Sequence, residues 1–256
     1  MALFESGNPT LSQKIFDRSV DRSESGVMTV RGSIVKFGFL LMMVIVGAVY
    51  TWNMYYNLQQ STMSTFLMIG LFGGMITGFI ISFKPTLAKY LAPAYGILEG
   101  FVLGALSAIL NDMFAAKMPN LVLTAVGLTF GVALAMFLLY SFRIIKPTQK
   151  FKAIIISSVF GIMIFYLITI VLSLFHVTIP FMSITNSSPL AIGINLFVAA
   201  IAALSLILDF ERIEVGANAG APKYMEWYGA WGLLVTMVWL YLEILKLLSR
   251  FASSRN

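Results

Sequence analysis

Three carboxylates stand in stretches of sequence where water is scarce. Glu99 lies near the centre of one apolar run, Asp209 closes another, and Glu243 sits inside VWLYLEILK at 238–246. An acid at the middle of a membrane helix costs about 2.5–3.5 kcal/mol on insertion scales, so such residues mark ion paths, proton relays or buried polar contacts. No Lys or Arg lies near the middle of any other run to neutralise Glu99. It is therefore expected to be neutral and bonded to a hydroxyl such as Tyr95, Thr77, Thr129 or Thr236, or to face a wet cavity. Asp209 has a local partner in Arg212, one helical turn on, and Glu243 has one in Lys246 at i+3. Brought together, Asp209 and Glu243 would share one proton, because two adjacent carboxylates cannot both hold charge cheaply. Such a pair would be a proton-operated latch, with Asp209, Glu243 and Glu99 as the gating and ion-binding candidates.

Other chemistry has no parts to work with. There is a single histidine, His176, at a helix end, and no His-Glu-x-x-His metal motif. The chain has no Gly-x-Ser-x-Gly elbow, no phosphate loop and no cysteine. An enzyme is not expected, nor is a cofactor.

The elements that must position these acids follow from hydropathy. Of 256 residues, 59% are hydrophobic and 11% charged, whereas soluble domains carry roughly 25% charged residues. The apolar residues fall in runs of about 18 to 23, the length that crosses a hydrocarbon core of about 30 Å as a helix. These runs cover 34–52, 66–83, 91–110, 121–142, 153–175, 190–208 and 227–248. Pro85, Pro93, Pro119, Pro147, Pro180, Pro189 and Pro222 fall at or beside their ends, as expected of a residue that breaks helix interiors. The expected fold is an all-α integral membrane protein, a bundle of seven transmembrane helices. A polar tail at 1–33 precedes a membrane domain at 34–248, and a short tail at 249–256 follows it. The first apolar run starts too late for a secretory signal and reads as an uncleaved anchor.

Orientation follows from the cations. Lys14, Arg18, Arg22, Arg31 and Lys36 cluster at the N-terminus. Lys84 and Lys89 follow the second run, Arg143, Lys146, Lys150 and Lys152 the fourth, and Arg212 and Lys223 the sixth, while the intervening loops hold Lys117 alone. This asymmetry predicts a cytoplasmic N-terminus and cytoplasmic even-numbered loops. Seven full spans would carry Lys246, Arg250 and Arg255 to the outer side, whereas a re-entrant last segment would return them. The formal charge of +6 belongs to these loops, so nucleic acid is not an expected partner.

Glycines recur every four residues: Gly70, Gly74 and Gly78, then Gly96, Gly100 and Gly104, then Gly127 and Gly131. Small residues at this spacing let helix backbones approach closely, and tight packing is favoured over a flexible pore lining for all three stripes.

The segments LDFERIE at 208–214, AGAPKYMEWY at 219–228 and LYLEILKLL at 240–248 resemble the C-terminal signature of the Bax inhibitor-1 family, and APAYGILEGFVLG at 92–104 resembles a third-span motif of its bacterial YccA-like branch. The resemblance implies seven helices with the last one central, a bacterial inner (plasma) membrane location, and a pH-sensitive calcium leak gated by two acids that match Asp209 and Glu243. It would make these two the calcium contacts. The chain departs from the pattern by carrying Glu at 243 and a longer connection back to Asp209. If the last helix begins near Trp227, Glu243 lies roughly 24 Å along it, and the two acids meet only if the segment is re-entrant or its first turns lie outside the core.

The leading expectation is thus a monomeric, passive, proton-regulated calcium pathway, carboxylates suiting that hard ion. The alternative is a non-conducting regulatory protein that binds a membrane quality-control protease or another partner. A secondary transporter is disfavoured by the lack of an inverted repeat or paired broken helices.

Overall fold

The computed structural model describes residues 26–177 and 179–254. Most of the polar tail expected at 1–33, and Arg255, lie outside the described residues. Seven helices follow one another: α1 (Val30–Tyr56), α2 (Gln60–Phe83), α3 (Ala88–Met113), α4 (Leu121–Ser141), α5 (Gln149–Leu174), α6 (Pro189–Asn218) and α7 (Met225–Ser254). All seven are long and apolar enough to cross a membrane. Among the described residues there is no strand, only an isolated bridge between Val27 and Pro222.

The helix starts are written in short polar residues. The side chains of Thr29, Thr148 and Ser188 each accept a hydrogen bond from a backbone N–H in the first turn of α1, α5 and α6, satisfying groups that a helix start leaves without a partner. Pro189 opens α6, where its fixed φ and missing donor cost nothing. Pro93 departs from expectation. Because α3 begins at Ala88 rather than near Leu91, this proline lies inside the helix.

The last segment is one continuous helix of 30 residues, about 45 Å long at 1.5 Å per residue. That length exceeds a hydrocarbon core, so the re-entrant alternative is not what the chain adopts. α7 packs against α1, α3, α4 and α6, and half of its most apolar stretch is buried within the chain, against 6% for α5. α7 thus shares the interior with α3 and α6, which are buried to a similar extent, whereas α5 packs chiefly on α6 and turns nearly all of its apolar surface outwards.

The glycine stripes do different things. A Cβ placed on Gly100 would lie 2.3 Å from the Val44 carbonyl oxygen, and one on Gly104 would lie 2.1 Å from that of Ala48. One on Gly70 would meet the Leu98 carbonyl at 2.6 Å. α3 is thus seated backbone to backbone between α1 and α2, as small-residue packing allows. Gly127 and Gly131 differ: a Cβ on either meets nothing within 4 Å, so the third stripe faces away from the bundle.

An odd number of spans puts the loop after α2 and the end of α7 on opposite faces. Single cysteines at the exposed Lys84 and Ser254 should be reached by an impermeant maleimide from opposite sides of the membrane. Labelling of both from one side would mean that α7 does not cross.

Candidate functional site: two separate buried acids on α6 and α7

Beyond its apolar stretch α6 continues for two turns through LDFERIE. Helical spacing turns Asp209, Ile213 and Gly216 inwards, and all three are buried. Thr236 on α7 donates to the Asp209 carboxylate at 2.5 Å, and Arg212 reaches it at 3.3 Å. The neighbours of this acid point outwards to other helices: Lys152 of α5 pairs with Glu211 at 2.7 Å, while Arg143 at 2.5 Å and the Tyr140 hydroxyl hold Glu214. A cavity of about 330 Å³ lies between the end of α6 and the start of α7. Its lining includes the charged Lys152, Glu211 and Arg212 together with the buried Asp209, and Trp231 and Gly232 of α7. That volume holds several waters at roughly 30 Å³ each.

Glu243 occupies a different site. Its carboxylate accepts from Asn195 of α6 at 2.8 Å, from the Tyr166 hydroxyl of α5 at 3.1 Å and from Lys246 at 2.6 Å. Asn195 also donates to the Glu243 backbone carbonyl at 3.1 Å, which fixes the orientation of the amide and leaves its buried Oδ1 without a hydrogen-bond partner. Three donors around one carboxylate compensate much of the cost of taking it out of water.

The expected contact between Asp209 and Glu243 is absent here. Asp209 is level with Thr236 and Glu243 with Asn195, and these partners stand seven residues apart on α7 and fourteen on α6. At 1.5 Å per residue that is roughly 10–20 Å, beyond the approach of about 4–6 Å that shared-proton coupling needs. The uninterrupted α7 is the cause, since a straight helix cannot bring position 243 back to the level of 209. Ala199, Ala202 and Leu206 of α6 and Leu240 of α7 are all buried and fill the interval with apolar side chains. The local pairings read from sequence, Asp209 with Arg212 and Glu243 with Lys246, are both present.

Glu99 is half-buried at mid-height on α3. The Tyr95 hydroxyl lies within its reach, and a Cβ on Gly74 of α2 would sit 3.5 Å from its Oε1. The other hydroxyls considered for it are engaged elsewhere: Thr77 bonds to Gly73, Thr129 to Ala125, and Thr236 to Asp209. Among the described residues no ion pair reaches Glu99.

A fourth acid escaped the sequence reading. Glu226, at the first turn of α7, is fully buried. It accepts from the Thr29 backbone N–H and hydroxyl at 2.9 Å each, from Lys223 at 2.9 Å and from Lys36. Flanked by Tyr224, Met225 and Trp227, it reads as an interfacial surface residue, and its partners on α1 lie some 190 positions away. Asn195 did carry a signal, as a lone amide in the middle of an apolar run.

No group of three or more His, Cys, Asp or Glu side chains suited to a metal ion occurs among the described residues. Calcium takes six to eight oxygen ligands, and at each of Asp209 and Glu243 a basic side chain already sits beside the carboxylate.

No match was found among curated proteins or among solved structures. The family model of the Bax inhibitor 1 like proteins matches residues 8–253, a range that takes in all seven helices and both acid sites, and the chain belongs to that membrane protein family.

Proposed function

We propose that the protein is a passive, proton-regulated cation leak, with calcium as its ion, in the inner membrane of a bacterium and close to the YccA-like branch of its family. In this reading the face where α1 begins is cytoplasmic, in keeping with its cations. The observation that carries the proposal is that the buried Asp209, at the end of the apolar stretch of α6, lines a cavity large enough for several waters. The apolar layer between Asp209 and Glu243 makes this a closed state. An ionised Asp209 draws cations into the cavity and a protonated one does not, so conduction should fall as the pH of that compartment falls. The test is calcium flux in liposomes containing only the purified protein, across a pH series. Flux at neutral pH that declines on acidification is expected. Absence of flux at every pH would overturn the leak and leave the non-conducting regulatory reading.

A further inference from the structure

We propose that residues 26–29 form a lid over the Asp209 cavity and that Glu226 is the clasp that holds it shut. This rests on reading that cavity as the aqueous end of the pathway. The segment precedes α1 and lies across the connection between α6 and α7. Val27 bridges to Pro222, the Met28 N–H donates to the Ala221 carbonyl at 2.7 Å, and Met28 is only 4% exposed. Its side chain forms part of the cavity wall. Two glycines make room for it, since a Cβ on Gly216 would lie 3.0 Å from the Met28 sulfur and one on Gly229 would lie 3.5 Å from its terminal methyl.

Thr29 converts this packing into a latch. Its backbone N–H and its hydroxyl both donate to one oxygen of Glu226, and the same hydroxyl oxygen accepts from Gly32 to cap α1. Lys223 holds the same Glu226 oxygen as Thr29, and Lys36 holds the other. Gly32 leaves room for this carboxylate, because a Cβ there would sit 2.2 Å from a Glu226 oxygen and push that side chain aside. Residues 27 and 28 themselves are held by the Met28 N–H bond, the bridge at Val27 and one flexible thioether packed into the core. The charge-assisted bonds, about twice as strong as neutral ones, converge on Glu226. Releasing that carboxylate frees the lid and leaves the seven helices in place.

The natural chain contains no cysteine, so a single reporter can be read without background. Ile213 lines the cavity and lies 3.0 Å from a Cβ built on Gly229, beside Met28. In an Ile213→Cys protein reconstituted in liposomes, labelling by a charged, water-soluble maleimide from the α1 face should be slow. Adding Glu226→Gln should speed it about tenfold, the shift in a closed–open balance expected from losing one charge-assisted contact. Met28→Ala, which removes the stopper but not the clasp, serves as a second variant should Glu226→Gln fail to fold, as judged by detergent elution and thermal melting. An unchanged labelling rate in a folded variant overturns the lid. The readout is separate from ion flux: faster labelling in a protein that conducts nothing supports the lid and removes the leak.

Discussion

Gly104→Val is expected to abolish the detergent-stable fold, whereas Gly127→Ala leaves it intact. Both glycines belong to four-residue stripes that look alike in sequence. A Cβ at 104 would lie 2.1 Å from the Ala48 carbonyl oxygen and 2.4 Å from the Thr51 hydroxyl. The first contact is with backbone, so it is relieved only by moving α1 away from α3. That movement also breaks the bond from Thr51 to the Phe101 carbonyl at 3.0 Å and reopens the close approach of Gly47 to Gly100. Overpacking of a soluble core costs typically about 1–3 kcal/mol. Here the obstacle is a helix backbone and not a side chain that can turn, so a loss above about 3 kcal/mol is expected. At Gly127 the added methyl meets nothing, and the change should stay within about 1 kcal/mol, the scale of the alanine–glycine difference in helices. Thermal melting in detergent reads both variants. A stable Gly104→Val protein would mean that α1 and α3 do not pack as described.

Glu243→Leu should be the most damaging single change among the acids. It leaves the Lys246 ammonium, the Tyr166 hydroxyl and the Asn195 amide facing an apolar side chain. Removing one partner of a buried ion pair costs about 3–5 kcal/mol. The lower end, about 3 kcal/mol, applies because the Lys246 side chain is 30% exposed and can reach water as the long stem of a lysine allows. Glu243→Gln keeps one acceptor oxygen for Asn195 and offers an NH2 group from which the Tyr166 hydroxyl can accept, so it should cost less, about 1 kcal/mol for the lost charge. Combining Glu243→Leu with Lys246→Met should recover part of the loss, since it removes the stranded cation together with its partner. Unfolding of reconstituted protein provides the measurement. Glu243→Leu within about 0.5 kcal/mol of the parent would show that the site is hydrated and its bonds are replaced by water.

The seven helices were legible because crossing a membrane imposes an apolar length on the sequence, whereas the polar first turns capped by Thr29 and Thr148 begin four residues before the apolar runs and were missed. The partners of Asp209 and Glu243 on their own helix were legible because they are local: Arg212 and Lys246 stand three residues on. Contacts between helices were not. Thr236 was one of four hydroxyls open to Glu99, and only the register of α7 against α6 assigns it to Asp209 instead. The resemblance drew Asp209 and Glu243 together, whereas the continuity of α7 keeps them apart. Gly127 and Gly131 show the same limit, since a stripe records that a helix face is smooth but not whether another helix lies against it. Glu226 was hidden because its chemistry depends on residues 29 and 36 at the other end of the chain.

Two separate acid sites, one lining a cavity and one beyond an apolar layer, are best tested by a double-mutant cycle on calcium flux. Liposomes would carry the parent, Asp209→Asn, Glu243→Gln or the double variant, and flux would be recorded across one pH series. Sites more than about 7–10 Å apart with no shared partner act additively. Asp209→Asn is expected to flatten the pH response, Glu243→Gln to change conduction by its own factor, and the double variant to show the product of the two. A double variant no different from either single one would contradict this arrangement, because it would mean that the two carboxylates titrate as one unit in the conducting state.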